Sequence, residues 1–253
     1  MPIAYIIISS MPIVIGDRTS RLPCVSTLVE DGNALMLFET GFFGGEGLTA
    51  GLKKLGFAPK DITHVFTTHF HGDHAGGNDL FERSVKIASL DEYHFSLTWL
   101  SGFRDSGDRE NYIRQSFPFM LPSIAKDRSA LLEKHLDNIP DYWWNKRMEG
   151  YAWHERETPF PSYIVVQKTP GHTPHHTSYI ISGKKMRLII AGDAISHRKS
   201  SPDASLFEEP HIDSDGYRKS YEMLTSLSGV IIPGHDRPFV RGKDIRVGRK
   251  IEF

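Results

Sequence analysis

The sequence contains a single cysteine, Cys24, among 253 residues, so no disulfide can form within the chain. We therefore expect a fold that does not need an oxidising compartment and a cytoplasmic location. The apolar stretch 3–8 is too short to span a membrane and has no basic region before it, so no membrane contact is expected. Basic residues are not in excess, because the net charge is −1 at pH 7. Nucleic acid is thus not an expected partner.

Strand and helix patterns are interleaved along a chain of ordinary globular composition. Runs rich in β-branched and other apolar residues predict strands at 3–9, 25–29, 34–38, 62–67, 85–88, 163–168, 178–181, 187–191 and 229–232. Asp31-Gly32-Asn33 predicts a tight hairpin turn. Apolar spacing predicts helices at 48–55, from Ala75 towards Phe81, and at 215–227. This pattern favours an α/β (α+β) fold in which sheets pack together beneath helices.

Residues 91–162 differ from the rest, since helical spacing dominates there and all four tryptophans fall within it. We interpret this stretch as a helical, aromatic-rich insertion within one domain, residues 1–253. Its Trp143-Trp144 pair, with Tyr151 and Trp153, either lines a substrate pocket or packs the insertion onto the body. A third interpretation is a homodimer surface.

Three imidazoles and one carboxylate fall within six residues of the run 68–74, which reads Thr-His-Phe-His-Gly-Asp-His. Neutral imidazole and carboxylate groups suit zinc and similar divalent ions. On a turn after a strand, alternating side chains can point two ways and so serve two ions. A pair of ions generates a nucleophilic hydroxide near neutral pH and stabilises both sides of a displacement. The run therefore predicts a metal-dependent hydrolase.

Three more donors each follow a predicted strand, where side chains converge at one edge of a sheet. His172 ends a Thr-Pro-Gly-His run, Asp193 follows Gly192, and His235 ends a second Pro-Gly-His run. Proline and glycine bend the backbone and present the histidine at the bend. These residues are candidate partners of the histidine cluster.

The ordered set Glu39-Thr40-Gly41, the 69–74 run, His172, Asp193 and His235 resembles the metallo-β-lactamase-fold hydrolases. The resemblance implies a four-layer αββα sandwich with two metal ions at one edge. It implies that one ion is held by His69, His71 and His172. The other would be held by Asp73, His74 and His235, with Asp193 bridging. A histidine at 71, where the flavo-diiron branch has glutamate, favours the zinc-type hydrolases.

Within that family, His74-Ala75-Gly76-Gly77-Asn78 and the 169–174 run resemble the lactonase-like branch, which includes the N-acyl-homoserine lactonases. Three positions depart from that branch. Ser196 stands where those lactonases place a tyrosine that contacts the substrate carbonyl, and His175 stands where glycine is common. Glu39 replaces a structural aspartate, and we expect its carboxylate to orient a metal-bound imidazole rather than to bind an ion.

The resemblance implies hydrolysis of an ester-like bond in a small-molecule substrate, most plausibly a lactone, by attack of a metal-bound hydroxide. Asp73 and Asp193 are the expected proton-transfer residues. Ser196 and His197 are expected at the substrate pocket, with His197 as a candidate proton donor to the leaving group. Two divalent ions are expected, zinc first, with manganese, iron or cobalt as alternatives.

Other functions fit the same residues. They are phosphodiester cleavage as in RNA-processing members of the fold, a glyoxalase II-like thioester hydrolase, a mononuclear iron dioxygenase and a non-catalytic metal-binding protein. The roles of His175 and His176 stay open. The remaining histidines are expected to be structural or solvated: His64, His94, His135, His154 and His211.

Overall fold

Two β-sheets form the centre of the protein. The structure is a computed structural model that describes residues 2–15, 18–117, 122–136, 150–201, 211–241 and 250–253. The first sheet has seven strands in the order β11-β1-β2-β3-β4-β5-β6, and the second has four in the order β10-β9-β8-β7.

The strands of the first sheet are β1 (Ile3–Ile15), β2 (Arg18–Asp31), β3 (Ala34–Phe38), β4 (His64–Phe66), β5 (Val85–Ala88), β6 (Tyr151–Trp153) and β11 (Lys250–Glu252). Those of the second are β7 (Ile164–Lys168), β8 (Thr177–Ser182), β9 (Arg187–Gly192) and β10 (Val230–Pro233). The helices are α1 (Glu46–Lys54), α2 (Gly72–Ala75), α3 (Leu90–Asp105), α4 (Arg109–Ser116), α5 (Pro122–Leu136) and α6 (Ser214–Ser226).

The main core lies between the two sheets, where alternate residues of each strand meet. Phe38 and Phe66 of the first sheet stack with ring centroids 4.4 Å apart. Tyr179 of the second sheet meets both rings edge-on, at 5.5 and 5.2 Å. These rings pack among apolar side chains of both sheets: Ile6, Val25, Met36, Ile181, Leu188 and Ile232.

A helix covers the outer face of each sheet. Leu48 and Leu52 of α1 are buried against the first sheet, together with Leu37. Leu224 of α6 is buried against Ile189 of the second sheet. The layers are therefore helix, sheet, sheet and helix, which confirms the predicted α/β class and its αββα order.

Several predicted elements have different bounds. The first hairpin is longer than expected, since β1 and β2 stay paired from Ile3 opposite Glu30 to Ile15 opposite Arg18. The helix predicted from Ala75 is wrong, because α2 begins at Gly72 and ends at Ala75. A Cβ on Gly76 would lie 2.6 Å from the Phe43 amide nitrogen, so close packing separates α2 from the next turn.

The stretch 91–162 is not wholly helical. It contains α3, α4 and α5, but Tyr151–Trp153 forms β6, which pairs with β5 in parallel.

Among the helices that the structure describes, none has the length and apolar character needed to span a membrane.

The hydroxyl of Tyr179 joins the two sheets. It donates to the Thr67 carbonyl at 2.8 Å, just beyond the end of β4. We expect Tyr179→Phe to destabilise the protein by about 1–3 kcal/mol, because the buried carbonyl loses its donor. Urea unfolding measures this change. Tyr5→Phe is the control, since the Tyr5 hydroxyl donates to Glu30 at the surface, and it should change stability by less than about 0.5 kcal/mol. Equal effects of the two variants would contradict the link between the sheets.

Candidate metal centre

Parallel strand pairs bring the predicted donors to one edge of the sandwich. β3 pairs with β4 so that Phe38 faces Phe66, which places Glu39 and the loop after Phe66 side by side. In the second sheet, β9 and β10 pair in parallel, and Pro233 faces Gly192. Asp193 and His235 therefore leave their strands at the same edge.

His69, His71 and His172 form the first donor group, with one ring nitrogen of each within 4.8 Å of the others. His71 Nδ1 and His172 Nε2 lie 3.0 Å apart. Two imidazole lone pairs at this distance repel unless a proton or a cation lies between them.

A second group joins Asp73, His74 and His235, again with ligand atoms within 4.8 Å of one another. Asp193 lies between the two groups. Its Oδ1 is 3.3 Å from His74 Nε2, and its Oδ2 is 3.3 Å from His172 Nε2 and 3.2 Å from His235 Nε2. One carboxylate thus contacts both groups.

In three of these histidines, the Nδ1 atom, which points away from the cluster, has a polar partner. His74 Nδ1 donates a short hydrogen bond to Glu39, whose other oxygen accepts from the Thr68 amide at 2.8 Å. His235 Nδ1 donates to the Pro23 carbonyl at 2.6 Å, and His69 Nδ1 lies 3.0 Å from the Thr68 hydroxyl. Such contacts fix the ring orientation and leave Nε2 directed into the site.

Burial keeps part of the cluster neutral. Desolvation lowers the pKa of His69 and His172 well below the usual value. It lowers the pKa of His176 to about 3. At neutral pH these rings carry no charge and can offer a lone pair.

The rest of the cluster is charged in the metal-free protein. Desolvation raises the pKa of Asp193, but His235, His74 and His172 outweigh it and hold the pKa well below its usual range. Desolvation lowers the pKa of His235, but Asp193 and Asp73 outweigh it and raise the pKa to about 9. The same carboxylates raise the pKa of His74 well above its ordinary value. Protons on His74 and His235 therefore supply the positive charge that the carboxylates require.

Unsatisfied atoms at the centre fit a metal. His69 Nε2, His74 Nε2 and Asp193 Oδ1 are buried without a well-aligned hydrogen bond within the described ranges, although His74 Nε2 and Asp193 Oδ1 lie 3.3 Å apart. Buried polar atoms normally have a partner, so three such atoms within one donor cluster indicate a site for a cation. Nitrogen and oxygen donors in this mixture suit zinc and its neighbours in the first transition row.

Other sequence-predicted residues lie at varying distances from the cluster. Ser196 is buried, and its carbonyl accepts from the His235 amide at 2.8 Å. The His197 ring lies 5.8 Å from that of His235. Trp143 and Trp144 lie outside the described residues. Tyr151 and Trp153 stack on each other within a cluster that includes Phe70 and Tyr93.

Three residues near the site were not assigned a role from the sequence. His176 is buried, and its Nε2 accepts from the Asp193 amide at 3.2 Å. The His211 ring lies 5.9 Å from that of His172, and neither of its nitrogens is hydrogen-bonded in the described structure. His211 is buried and its ring stacks on Tyr217 with centroids 3.5 Å apart, so of the two expected outcomes, structural or solvated, the structural one applies. Glu92 of α3 contacts the loop after His172. Of these three residues, only His176 could have been placed near the site from the sequence, because it lies four residues after His172.

Comparison with known proteins identifies the family. The model of the metallo-beta-lactamase superfamily matches residues 19–235. The chain belongs to the metallo-beta-lactamase superfamily. Its donor cluster, at the edge of an αββα sandwich, occupies the place that the sequence resemblance implied for this superfamily.

Two curated members of the superfamily are similar to the chain. Metallo-beta-lactamase domain-containing protein 1 of Xenopus laevis is 25% identical over 215 residues, covering 84% of this chain and 70% of that protein. The N-acyl homoserine lactonase AttM of Agrobacterium fabrum is 25% identical over 175 residues, covering 63% of this chain. The alignment spans only 56% of AttM, less than two thirds of its length.

A solved superfamily structure has the same fold. AidC, described as a dizinc quorum-quenching lactonase in complex with a product, superposes with a TM-score of 0.63 at 21% identity. The match covers 87% of this chain and 74% of AidC.

Close packing at Gly234 provides a test of the cluster. A Cβ added there would lie 2.0 Å from Asp193 Oδ1. We expect Gly234→Ala to displace this carboxylate, to destabilise the protein by about 1–3 kcal/mol and to reduce metal content per chain. Metal analysis and thermal unfolding measure both. Gly107→Ala is the control, because no atom lies within 4 Å of the added carbon. A normal metal content in Gly234→Ala would show that metal binding does not depend on the position of the Asp193 carboxylate next to Gly234.

The charges of the metal-free site predict its pH dependence. His235 has its pKa raised from 6.5 to about 9, so its contribution to stability is complete below about pH 6.5 and is lost as the pH rises through about 9. Below about pH 6.5, the buried neutral rings of His69 and His172 oppose folding, because the unfolded chain takes up protons more readily. Urea midpoints measured with chelator should therefore peak near pH 6.5. A midpoint that rises steadily towards pH 9 would contradict these charge assignments.

Proposed function

We propose that this protein is a dinuclear metal-dependent hydrolase that opens a lactone or a similar ester-like bond. The observation that carries the proposal is the position of Asp193, whose two oxygens contact both donor groups. His69, His71 and His172 would hold one ion, and Asp73, His74 and His235 the other. Asp193 would bridge them, and Glu39 would orient His74.

Zinc is the ion that we propose first, because tetrahedral sites of imidazole and carboxylate ligands suit it. Manganese, iron and cobalt accept the same ligands. When bound, the pair supplies a Lewis acid and an activated water near neutral pH.

Side chains of the protein would carry out the proton transfers. Burial raises the pKa of Asp73, but His74 and His235 outweigh it and lower the pKa, so its carboxylate is ionised at neutral pH. Asp193 is ionised for the same reason. Either carboxylate can accept a proton from water at Oδ and return it to the leaving oxygen. The His197 ring lies 5.8 Å from that of His235, and we propose that it donates a proton to the leaving group.

Relatives support the choice of substrate class. AttM is named an N-acyl homoserine lactonase, and AidC is described as a quorum-quenching lactonase. Ring-opening of a small lactone is the reaction that these names share. We further propose that residues 91–162 form an insertion in one domain, 1–253, and that the insertion bounds the substrate pocket near Ser196. A homodimer stays a prediction.

The test combines metal analysis with a substrate panel. Purified protein should contain close to two ions per chain and should hydrolyse members of a lactone panel, and a chelator should abolish this activity. The panel includes thioesters and phosphodiesters, since hydrolysis of one of these alone would replace the lactone assignment. Full activity after complete removal of metal would exclude the proposal.

Asp193 should be indispensable for turnover. We expect Asp193→Asn to lower kcat by roughly 10²–10⁴-fold, because an amide can neither bridge two cations as an anion nor accept the proton. Steady-state kinetics at saturating metal measure the effect. Asp215→Asn makes the same chemical change at an exposed position in the first turn of α6 and should leave kcat unchanged. Equal kcat values for Asp193→Asn and the wild type would rule out the assigned role.

A further inference from the structure

Glu92 is a buried carboxylate that the reaction outlined above does not use. It is 1% exposed and stands at the third position of α3, after Ser89. The Ser89-Leu90-Asp91-Glu92 sequence is typical of a capping box, in which the glutamate turns back to the amide of the N-cap residue. Ser89 does cap the helix by accepting from the Glu92 amide at 3.2 Å. The Glu92 carboxylate instead bonds to residues outside the N-terminal turn.

Three of its partners lie on the two loops that carry the three-histidine group, and another, the Ser96 hydroxyl, lies on α3. Oε2 accepts from the Thr173 hydroxyl at 2.9 Å and from the His175 amide at 3.2 Å. The amide of Phe70 also hydrogen-bonds to the carboxylate. Phe70 lies between His69 and His71, and Thr173 directly follows His172. One side chain therefore connects both loops.

Packing on α3 strengthens this connection. The Phe70 ring meets the ring of Tyr93, the residue after Glu92, with centroids 5.6 Å apart. The backbone and the ring of Phe70 are thus both held by the start of α3. Burial raises the pKa of Glu92 to about 7, against the effect of its hydrogen bonds, so this position is unfavourable for an ionised carboxylate. Replacing this carboxylate by an apolar side chain would leave the buried donors of Phe70, Thr173 and His175 without this acceptor.

We propose that Glu92 is a positioning residue for the three-histidine metal site, and that it couples α3 to the spacing of His71 and His172. The inference rests on the proposed metal centre. The two ring nitrogens must be held apart at a defined separation to accept an ion, and Glu92 fixes the chain on both sides of that gap. Residues that orient metal ligands typically change metal affinity by about 10–100-fold when they are mutated.

The main variant is Glu92→Leu, which removes every acceptor while keeping a side chain of similar size. Metal affinity is measured by stepwise competition of Zn²⁺ with a chromophoric chelator, and ligand geometry by the visible absorption of Co²⁺-loaded protein. We expect affinity for one of the two ions to fall about 10–100-fold, with altered Co²⁺ bands. Glu92→Gln retains one acceptor oxygen and should recover part of the loss. Hydrogen exchange at the Phe70 and His175 amides of metal-free protein should accelerate in Glu92→Leu.

A matched control separates this role from general support of α3. Glu155 also holds the start of α3, accepting from the Ser89 hydroxyl at 2.6 Å and the Leu90 amide at 3.2 Å. It makes no hydrogen bond to a metal loop among those described. Glu155→Leu should leave both metal affinities unchanged. An equal loss of affinity in Glu155→Leu and Glu92→Leu would overturn the proposal.

If Glu92→Leu does not fold, a second pair of variants tests the proposed role of Glu92. Thr173 and Ser96 each donate a hydroxyl to Glu92, but only Thr173 lies on a metal loop. Thr173→Val should lower the affinity for one ion, and Ser96→Ala should not. Equal affinities in Thr173→Val and the wild type would refute the inference. A wild-type protein that binds no pair of ions would instead refute the proposed metal centre, so the two failures are distinguishable.

Discussion

The burial of one negative charge, that of Asp193, constrains the whole edge of the sandwich. Moving a carboxylate out of water costs several kcal/mol unless cations and hydrogen bonds compensate. Here three imidazole nitrogens lie 3.2–3.3 Å from its oxygens. In the metal-free protein the compensation comes from protons on His74 and His235. Divalent ions would supply the same charge more compactly, so the site is electrostatically prepared for them.

Hydrogen bonds to the backbone also fix the positions of the candidate donors. His235 follows β10 of the second sheet, and its ring donates to the Pro23 carbonyl in β2 of the first sheet. The Thr177 amide of β8, also in the second sheet, donates to the Thr68 carbonyl of the first-sheet side at 3.0 Å. The two sheets are therefore joined beside the donors. A donor set on rigid strand ends keeps its geometry better than one on free loops, which is what proton transfer over short distances requires.

The donors could be predicted from the sequence because residue type and local spacing were sufficient. Three histidines and an aspartate within six residues are hard to account for by packing, and Pro-Gly-His presents its histidine wherever the preceding strand ends. Strand lengths were less predictable. Around Arg18 and Ser20 of β2 the sequence has no alternating apolar pattern, and the hairpin extends this far because these residues pair with β1. The supporting residues gave weaker signals still. The sequence around Glu92 indicates a helix cap, and only the fold shows that its carboxylate reaches residues 70, 173 and 175.

Ser196, which follows the turn that begins at Asp193, bears on the proposed choice of substrate. Ser196 stands where the lactonases have a tyrosine, but its side chain is fully buried and its carbonyl holds the His235 amide. The backbone of Ser196 thus supports His235, a candidate metal ligand, and its side chain is too short to replace a phenol that reaches towards substrate. The donor cluster does not depend on that phenol, because every candidate ligand comes from another residue. In the proposed hydrolase, bond cleavage and substrate choice would therefore reside in different residues, and the proposed metal chemistry would not require the substrate of the named relatives.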